Sequence, residues 1–441
     1  MKPTPIAKNM IDEAIRAQGI RDFGRANIRE VKRIAEYAEQ ESGVEFIKME
    51  MGIPGLPAAE VGVKAQIKAL QQGIANLYPD IQGTKYLKEQ ASRFVKAFIG
   101  VDIAPKGCIP CVGSMQGGYA AFMLCSQLDP QKDTILFIDP GFPIQKTQCE
   151  VQNIKYATFD VYDYRGDKLR EKLESYLSKG NISAIVYSNP NNPSWICLNN
   201  DELKTIGELA TKYDAIVIED LAYFAMDFRK DLSTPFQPPY QDTVARFTDN
   251  YLLLISGSKA FSYAGERIAV CCISDKLFNR HYPALDQRYG GLSFGTTYHS
   301  RMLYCLSSGT SHSAQFALGA IMEAACDGDY MFREVTHEYA DRAHRMKEIF
   351  CKHNFYVVYD KDLDVNIADG FYFTIGYPGM TSSQLALELM YYGVSAINLG
   401  TTGSCQQGLR CCVSFIKPNQ YEELEKRMAI FAENNPIHNK Q

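Results

Sequence analysis

Short, mainly apolar runs alternate with amphipathic stretches through the middle of the chain. The runs are Thr134–Ile138, Ile182–Tyr187, Ala215–Ile218 and Tyr251–Ile255. Such runs are typical of parallel strands covered on both faces. Between them, apolar residues recur at helical spacing, as at Leu169, Leu173 and Leu177 before Gly180. These units predict an α/β fold with a large, doubly wound, mostly parallel sheet, in which ligands bind beyond the carboxyl ends of the strands.

The pattern changes after about Ser313. A long helical stretch, Gln315–Cys351, precedes shorter strand-like runs, and a charged helix over Tyr421–Asn434 closes the chain. The shorter runs are Tyr356–Tyr359, Phe371–Ile375, Val394–Ile397 and Leu409–Phe415. Near the other end, Arg29–Gln40 predicts an amphipathic helix. We therefore predict a large domain over residues 56–312 and a smaller α+β domain over residues 313–441, which the segment 1–55 joins.

Composition and charge narrow the class of protein. The chain has 441 residues, enough for two domains, and 22% of them are charged. A net charge of −5 and the lack of a long basic run argue against a nucleic-acid partner. Met1–Asn9 lacks the apolar core of a signal peptide, and no run approaches the roughly 20 apolar residues of a membrane span. We therefore expect a cytoplasmic protein with no membrane partner.

The cysteines do not predict a disulfide scaffold. Their number, 13, is odd, and several lie in apolar strand patterns. Cys108-Ile109-Pro110-Cys111 has the spacing of a zinc or redox motif, but no second ligand pair stands at a matching spacing. The motif also runs into apolar Val112 instead of opening a helix. We interpret the pair as structural and predict no metal site.

One lysine follows a predicted buried strand. Lys259 lies in Ser256-Gly257-Ser258-Lys259, just after Tyr251–Ile255. A lone lysine is normally a solvated surface charge. At a strand end, an amine with a lowered pKa can instead form a Schiff base with a carbonyl cofactor. The other strand ends decide between these two interpretations.

Those strand ends carry groups that each allow two interpretations. Gly113-Ser114-Met115-Gln116-Gly117-Gly118 feeds an apolar helix, so it is either a plain turn or a phosphate-binding helix N-terminus. Phe142 is either a core residue or a plate that stacks on a flat ring. Asn189-Pro190-Asn191-Asn192-Pro193 is either a turn or a support that aims one amide at a ligand.

Four further residues complete the set. Asp220 ends a strand and needs a partner such as a protonated ring nitrogen, and Tyr223 can donate to a phenolate-like oxygen. Arg267 can bind a phosphate, whereas Arg410, a lone cation entering an apolar strand, needs an anion such as a substrate carboxylate. Together with Lys259, these groups match what pyridoxal 5′-phosphate and a bound amino acid require.

With these motifs the chain resembles the class I/II aminotransferases, pyridoxal-phosphate enzymes of the aspartate-aminotransferase fold type, from about Arg29 to the C-terminus. The resemblance implies that Lys259, Asp220 and Tyr223 are catalytic, with Lys259 carrying the internal aldimine. The implied cofactor contacts are Ser114, Met115, Gln116, Ser256, Ser258 and Arg267 around the phosphate, Phe142 on the ring, Asn192 and Tyr223 at its O3′, Asp220 at the ring nitrogen, Lys259 at the aldehyde, and Tyr78 from a second subunit. Arg410 would bind the substrate α-carboxylate, with Gly52 closing near it.

The Tyr78 segment also implies a homodimer with shared sites.

The chain departs from the family pattern at three places. Ser194-Trp195 replaces the usual Thr-Gly after the second Asn-Pro, Ala269 replaces a glycine, and Leu87-Lys88 replaces Leu-Arg. None of these changes removes a reacting group.

The implied activity is transfer of an amino group between an L-amino acid and a 2-oxo acid. The same constellation also supports a C–S β-lyase or another amino-acid lyase, because small pocket differences decide which bond breaks.

A DNA-binding regulator on this fold would need a basic module, and the residues before Gly52 are too few and not basic enough. A catalytically silent binding protein would not need an intact set of Lys259, Asp220 and Arg267. Arg288 and Arg301 are interpreted as surface or interface residues.

Overall fold

The structure is a computed structural model that describes residues 2–437. It divides into two compact units, each with its own core. The large unit comprises Leu56–Asn191 and Cys197–Thr336, and the small unit comprises Met1–Gly55, Asn192–Ile196 and His337–Gln441. Met1 and residues 438–441, which the predicted domains include, lie outside the described residues.

The helices and strands alternate through the large unit and become shorter in the small one. The α-helices are α1 Lys8–Ala17, α2 Ile28–Ser42, α3 Glu60–Gln71, α4 Lys85–Phe98, α5 Gly113–Cys125, α6 Pro143–Val151, α7 Lys168–Leu177, α8 Asn200–Lys212, α9 Asp275–Phe278, α10 Pro283–Tyr289, α11 Phe294–Thr297, α12 Tyr304–Ser307, α13 His312–Asp327, α14 Phe332–Thr336, α15 Glu338–Lys352, α16 Ser382–Tyr391 and α17 Gln420–Asn434. The strands are β1 Ile47–Lys48, β2 Cys108–Cys111, β3 Thr134–Asp139, β4 Lys155–Asp160, β5 Ile182–Ser188, β6 Ile216–Asp220, β7 Tyr251–Ser256, β8 Ala269–Ile273, β9 Tyr356–Val357, β10 Lys361–Asp362, β11 Val365–Asn366, β12 Tyr372–Gly376, β13 Val394–Ser395, β14 Ile397–Asn398 and β15 Leu409–Cys412.

A seven-stranded sheet with the order β2-β8-β7-β6-β5-β3-β4 forms the core of the large unit. All pairs from β7 to β4 are parallel, and only β8 runs against its two neighbours. Every residue of β2, β3, β6, β7 and β8 is buried, as expected for strands that helices cover on both faces. The predicted doubly wound sheet is confirmed.

The small unit is built on the four-stranded antiparallel sheet β14-β15-β12-β9. Helices α15 and α16 pack on this sheet, and α17 packs on α15. Helix α2 begins at a capping box in which Asn27 and Glu30 satisfy each other's backbone N–H groups. The predicted helix over Arg29–Gln40 therefore lies inside α2.

Three details differ from the sequence-based expectation. The long helical stretch Gln315–Cys351 is broken into α13, α14 and α15, because Gly328 ends α13 in a left-handed conformation with a φ of 80°. Helix α13 packs on α3 and α4 within the large unit, so the division falls at Thr336 and not after residue 312. The short segment Asn192–Ile196 is also grouped with the small unit. Within residues 2–437 no helix is long and apolar enough to cross a membrane.

Candidate active site

The sheet order brings the predicted residues of the large unit to one edge. Strands β7, β6, β5 and β3 are consecutive and parallel, so their carboxyl ends lie side by side. Lys259 follows β7 and Asp220 ends β6. Further along the same edge, Ser188 ends β5 and Phe142 follows β3. The alternation of strands and helices thus brings Lys259, Asp220 and Phe142 to the same edge of the sheet.

Asp220 lies at this edge in a nearly closed environment. Its side chain is only 8% exposed and accepts hydrogen bonds from Gln145 Nε2 at 3.2 Å and from the Ala222 N–H at 3.1 Å. Burial raises the pKa of Asp220 to about 6, although both hydrogen bonds lower it. A buried carboxylate that has only two neutral hydrogen-bond donors is stabilised most by a cationic partner, such as a protonated ring nitrogen.

The Lys259 loop is held by local backbone contacts. Lys259 is half-buried, and its carbonyl accepts a hydrogen bond of 3.2 Å from the Ser262 N–H. The Ser256 hydroxyl accepts from the Ser258 N–H at 3.1 Å, and the Gly257 N–H donates to Ile268 O at 3.0 Å. These contacts fix where the lysine leaves the strand, whereas the interpretation as a fully solvated surface lysine does not fit its partial burial.

An anion cradle is built where three strand ends meet. Ala269, the first residue of β8, pairs with Cys111 at the end of β2 and with Ser256 at the end of β7. This register brings Gly113, two residues after β2, beside Arg267, two residues before β8. A Cβ on Gly113, whose φ is +70°, would lie 2.5 Å from Arg267 Nη2. A side chain at position 113 would therefore push the guanidinium from its place beside the N-terminus of α5, and the positive φ itself favours glycine.

The first turn of α5 supplies N–H groups to the cradle. Ser114, Met115 and Gln116 are half-buried, and a helix N-terminus carries a partial positive charge that favours a phosphate. The Gln116 side chain accepts from the Val112 N–H at 2.8 Å and donates to Ser307 Oγ at 2.8 Å. The Arg267 guanidinium and the N–H groups of the first turn of α5 together fit the phosphate of pyridoxal phosphate.

The other predicted residues of the large unit are placed as follows. Tyr223 is buried at 4% exposure, three residues after β6 ends. Phe142 is half-buried directly before α6, which leaves part of its ring accessible. Tyr78 does not lie at the sheet edge. It is 91% exposed and lines an open groove of about 380 Å³ with Leu70, Leu77 and the segment Ser307–Ser313.

The small unit carries the predicted substrate residues. Arg410 lies in β15 and is 1% exposed; its Nη2 donates to the Glu50 carbonyl, and its Nε has no hydrogen-bond partner among residues 2–437. The Arg410 guanidinium lies 4.7 Å from the ring centroid of Tyr372. Gly52 is at the same place, because a Cβ there would lie 2.0 Å from Tyr372 Oη. Asn192, also in this unit, is buried at 6% exposure.

Sequence reasoning missed Gln145 and Tyr372. Gln145 contacts Asp220 across 75 residues of chain, and its only sequence signal is its place in the first turn of α6, after a strand end with aromatic Phe142. Tyr372 reaches Arg410 because β12 pairs with β15, with Thr374 opposite Arg410. Tyr372 is therefore a same-face diagonal neighbour of Arg410, which a strand-pairing argument would have found.

Comparison with known proteins agrees with this geometry. The sequence pattern of the family described as aminotransferase class I and II matches residues 44–428. The chain belongs to this family. Its members with this fold use pyridoxal 5′-phosphate. The resemblance found from the motifs is thereby confirmed.

Individual relatives are distant in sequence. A probable aspartate aminotransferase of Methanocaldococcus jannaschii is 24% identical over 231 residues, which are 52% of this chain and 58% of that protein. An LL-diaminopimelate aminotransferase of Natranaerobius thermophilus is 26% identical over 242 residues, 54% of this chain and 60% of that protein. The chain thus matches less than two thirds of the length of these relatives.

Solved structures share the fold over nearly the whole chain. Aspartate aminotransferase from Thermus thermophilus with maleate superposes with a TM-score of 0.71 at 18% identity, covering 92% of this chain and 96% of that one. Alanine aminotransferase from Pyrococcus furiosus gives a TM-score of 0.73 at 18% identity, covering 92% and 97%. These similarities confirm the fold class.

Proposed function

We propose that this protein is a pyridoxal-phosphate-dependent aminotransferase that moves an amino group between an L-amino acid and a 2-oxo acid. The observation that carries the proposal lies in the large unit. One sheet edge carries Lys259, the buried Asp220 and the cradle of Gly113 and Arg267. These are the three contacts that an aldehyde, a ring nitrogen and a phosphate on one small molecule need.

Pyridoxal phosphate, when bound, supplies an aldehyde that links amines and a ring that accepts electrons from the substrate Cα. Ser114, Met115, Gln116, Ser256, Ser258 and Arg267 would hold its phosphate, Phe142 its ring face, and Asn192 and Tyr223 its ring oxygen. Asp220 would hold a proton on the ring nitrogen. Because burial penalises the Asp220 anion, a cation at that position is favoured over water.

Lys259 is proposed as both the anchor and the general base. Its Nζ would hold the aldehyde of the cofactor, and as a free amine it would take the proton from the substrate Cα. Lys259 follows Ser258 in a loop that the Ser256 and Ser262 contacts fix. Because the loop is fixed, Nζ would return the proton without leaving the site. Orientation of this kind replaces diffusion of a solution base.

Arg410 is proposed to bind the substrate α-carboxylate. A guanidinium buried at 1% exposure needs an anion, and its Nε has no protein partner among residues 2–437. Gly52 leaves room for the Tyr372 hydroxyl, since a Cβ there would lie 2.0 Å from Tyr372 Oη. A bound carboxylate fixes which bond at Cα stands perpendicular to the ring and therefore breaks.

We further propose a homodimer in which Tyr78 serves the neighbouring subunit. Its side chain is 91% exposed, and Ile67, Leu70 and Leu77 near it in the chain are 51%, 45% and 56% exposed. Exposed apolar residues clustered along the chain are expected where a second copy covers them. Light scattering should report a dimer, and Tyr78→Ala should weaken cofactor binding without removing it.

Cytoplasmic location stays a prediction from the sequence.

The deciding experiment is spectroscopic. Purified protein with pyridoxal phosphate should show visible absorption, and borohydride should fix a pyridoxyl label on Lys259. Lys259→Ala should abolish the label, whereas Lys276→Ala, which changes an exposed lysine, should not. A protein that stays colourless and unlabelled would overturn the proposal.

The reaction is tested separately. Incubation with a panel of L-amino acids and a 2-oxo acid acceptor should give the new amino acid and the new 2-oxo acid in equal amounts. Release of ammonia and pyruvate without an acceptor would instead establish a lyase.

A further inference from the structure

Tyr372 faces the Arg410 guanidinium in the small unit, and Trp195 packs against Tyr372. Tyr372 is 2% exposed and Trp195 is 0% exposed, and their ring centroids are 6.2 Å apart at an interplanar angle of 70°. The Arg410 guanidinium lies 4.7 Å from the Tyr372 ring centroid. Resting on the proposed function, we propose that Tyr372, backed by Trp195, is a positioning residue that sets the plane of Arg410 for the substrate carboxylate.

Two glycines leave space for these rings. A Cβ on Gly370 would lie 2.2 Å from Trp195 Cε2, and a Cβ on Gly52 would lie 2.0 Å from Tyr372 Oη. Such distances are far inside van der Waals contact, so the rings fill the volume that other side chains would take.

An aromatic support leaves the donors of the guanidinium available. Arg410 donates from Nη2 to the Glu50 carbonyl, while the ring holds the cation by its face and takes up no N–H group. The Glu50 carboxyl is turned to Ser395, whose hydroxyl donates to Oε2 at 2.6 Å, and burial raises the pKa of Glu50. Arg410 therefore keeps both charge and N–H groups for an incoming anion.

Trp195 adds a second observation, since its backbone is left-handed with a φ of 65°. Large L-residues adopt this conformation only at a free-energy cost, and glycine adopts it without one. Position 195 is also where the family motif has glycine, since Ser194-Trp195 stands in place of Thr-Gly. Retaining tryptophan at a strained position is explained if its ring supports Tyr372.

The test compares Tyr372→Leu with Tyr372→Phe in the holoenzyme. KM for the best amino acid and the dissociation constant of propionate, an unreactive carboxylate, are measured, the second by protection against thermal unfolding. Tyr372→Leu should raise both about tenfold, because a desolvated cation–π contact is lost. Tyr372→Phe keeps the ring face and should stay within about threefold. The visible absorption of bound cofactor should change little.

Two further variants separate positioning from mere stability. Tyr377→Leu removes a tyrosine that is also 2% exposed but packs on Phe355 and Phe431, so it should lower the melting temperature and leave propionate affinity unchanged. Trp195→Gly relieves the backbone strain, yet it should weaken propionate binding about threefold to tenfold. If Tyr372→Leu fails to fold, Trp195→Gly decides.

Unchanged propionate affinity and KM in Tyr372→Leu or Trp195→Gly would overturn the inference, as would equal losses in Tyr372→Leu and Tyr377→Leu. A wild-type protein without cofactor absorption would instead refute the proposed function itself.

Discussion

The buried carboxyl of Asp220 should make the cofactor-free protein less stable than it would be with an amide. Its pKa rises from 3.8 to about 6 on folding, chiefly because burial disfavours the anion. Below about pH 3 the group is almost fully protonated in both the folded and the unfolded chain, so it costs nothing. As the pH rises from 4 to 6 the unfolded chain ionises first, and the free energy of unfolding falls.

The magnitude follows from this difference in pKa. One pKa unit corresponds to about 1.4 kcal/mol, so the ionised carboxyl costs the fold about 3 kcal/mol above pH 7 and about half of that at pH 5. Asp220→Asn keeps an oxygen that accepts from the Ala222 N–H and removes the charge. For a unit of this size roughly 2 °C per kcal/mol is expected, so the melting temperature of the apoprotein should rise by about 5 °C at pH 8.

The assay is thermal unfolding of the cofactor-free protein at pH 5 and pH 8. Asp163→Asn, which changes an exposed aspartate of the same unit, is the matched control and should shift neither midpoint. With pyridoxal phosphate present the order should reverse, because the amide cannot pair with a protonated ring nitrogen. A variant that melts below wild type at pH 8 would show that the Asp220 anion is not destabilised by burial.

Two further changes test the cradle and a buried ion pair. Gly113→Ala should weaken the affinity for pyridoxal phosphate about tenfold in an absorbance titration, because its Cβ would displace a guanidinium nitrogen 2.5 Å away. Gly180→Ala is the control, because Gly180 has a φ of +76° and nothing within 4 Å. It should lower the free energy of unfolding by about 1 kcal/mol and leave the affinity unchanged. Arg165→Leu should cost about 3–5 kcal/mol in urea unfolding, because it strips the buried Glu202 of a partner at 2.7 Å, and adding Glu202→Gln should recover part of the loss. Equal effects of the two glycine variants on affinity, or no recovery in the double variant, would contradict these predictions.

Local patterns were enough to find most elements of the large unit. The predicted strands Thr134–Ile138 and Tyr251–Ile255 lie within β3 and β7, because burial on both faces makes every position of a strand apolar. The break at Gly328 was missed because helical spacing continues on both sides of it. A glycine in a helical pattern either is tolerated or ends the helix, and the packing of the next segment decides which.

What the sequence determined alone is the chemical inventory: a lysine, a carboxylate and a glycine turn, each directly after an apolar run. Parallel strands put such residues at one edge whatever their distance in the chain, so sequence order sufficed. Only the tertiary structure decided that Gln145 donates to Asp220, that Tyr372 lies against Arg410 and that Trp195 packs on Tyr372. Those contacts depend on strand register and on the space left by Gly52 and Gly370, which arise from packing between segments far apart in the chain.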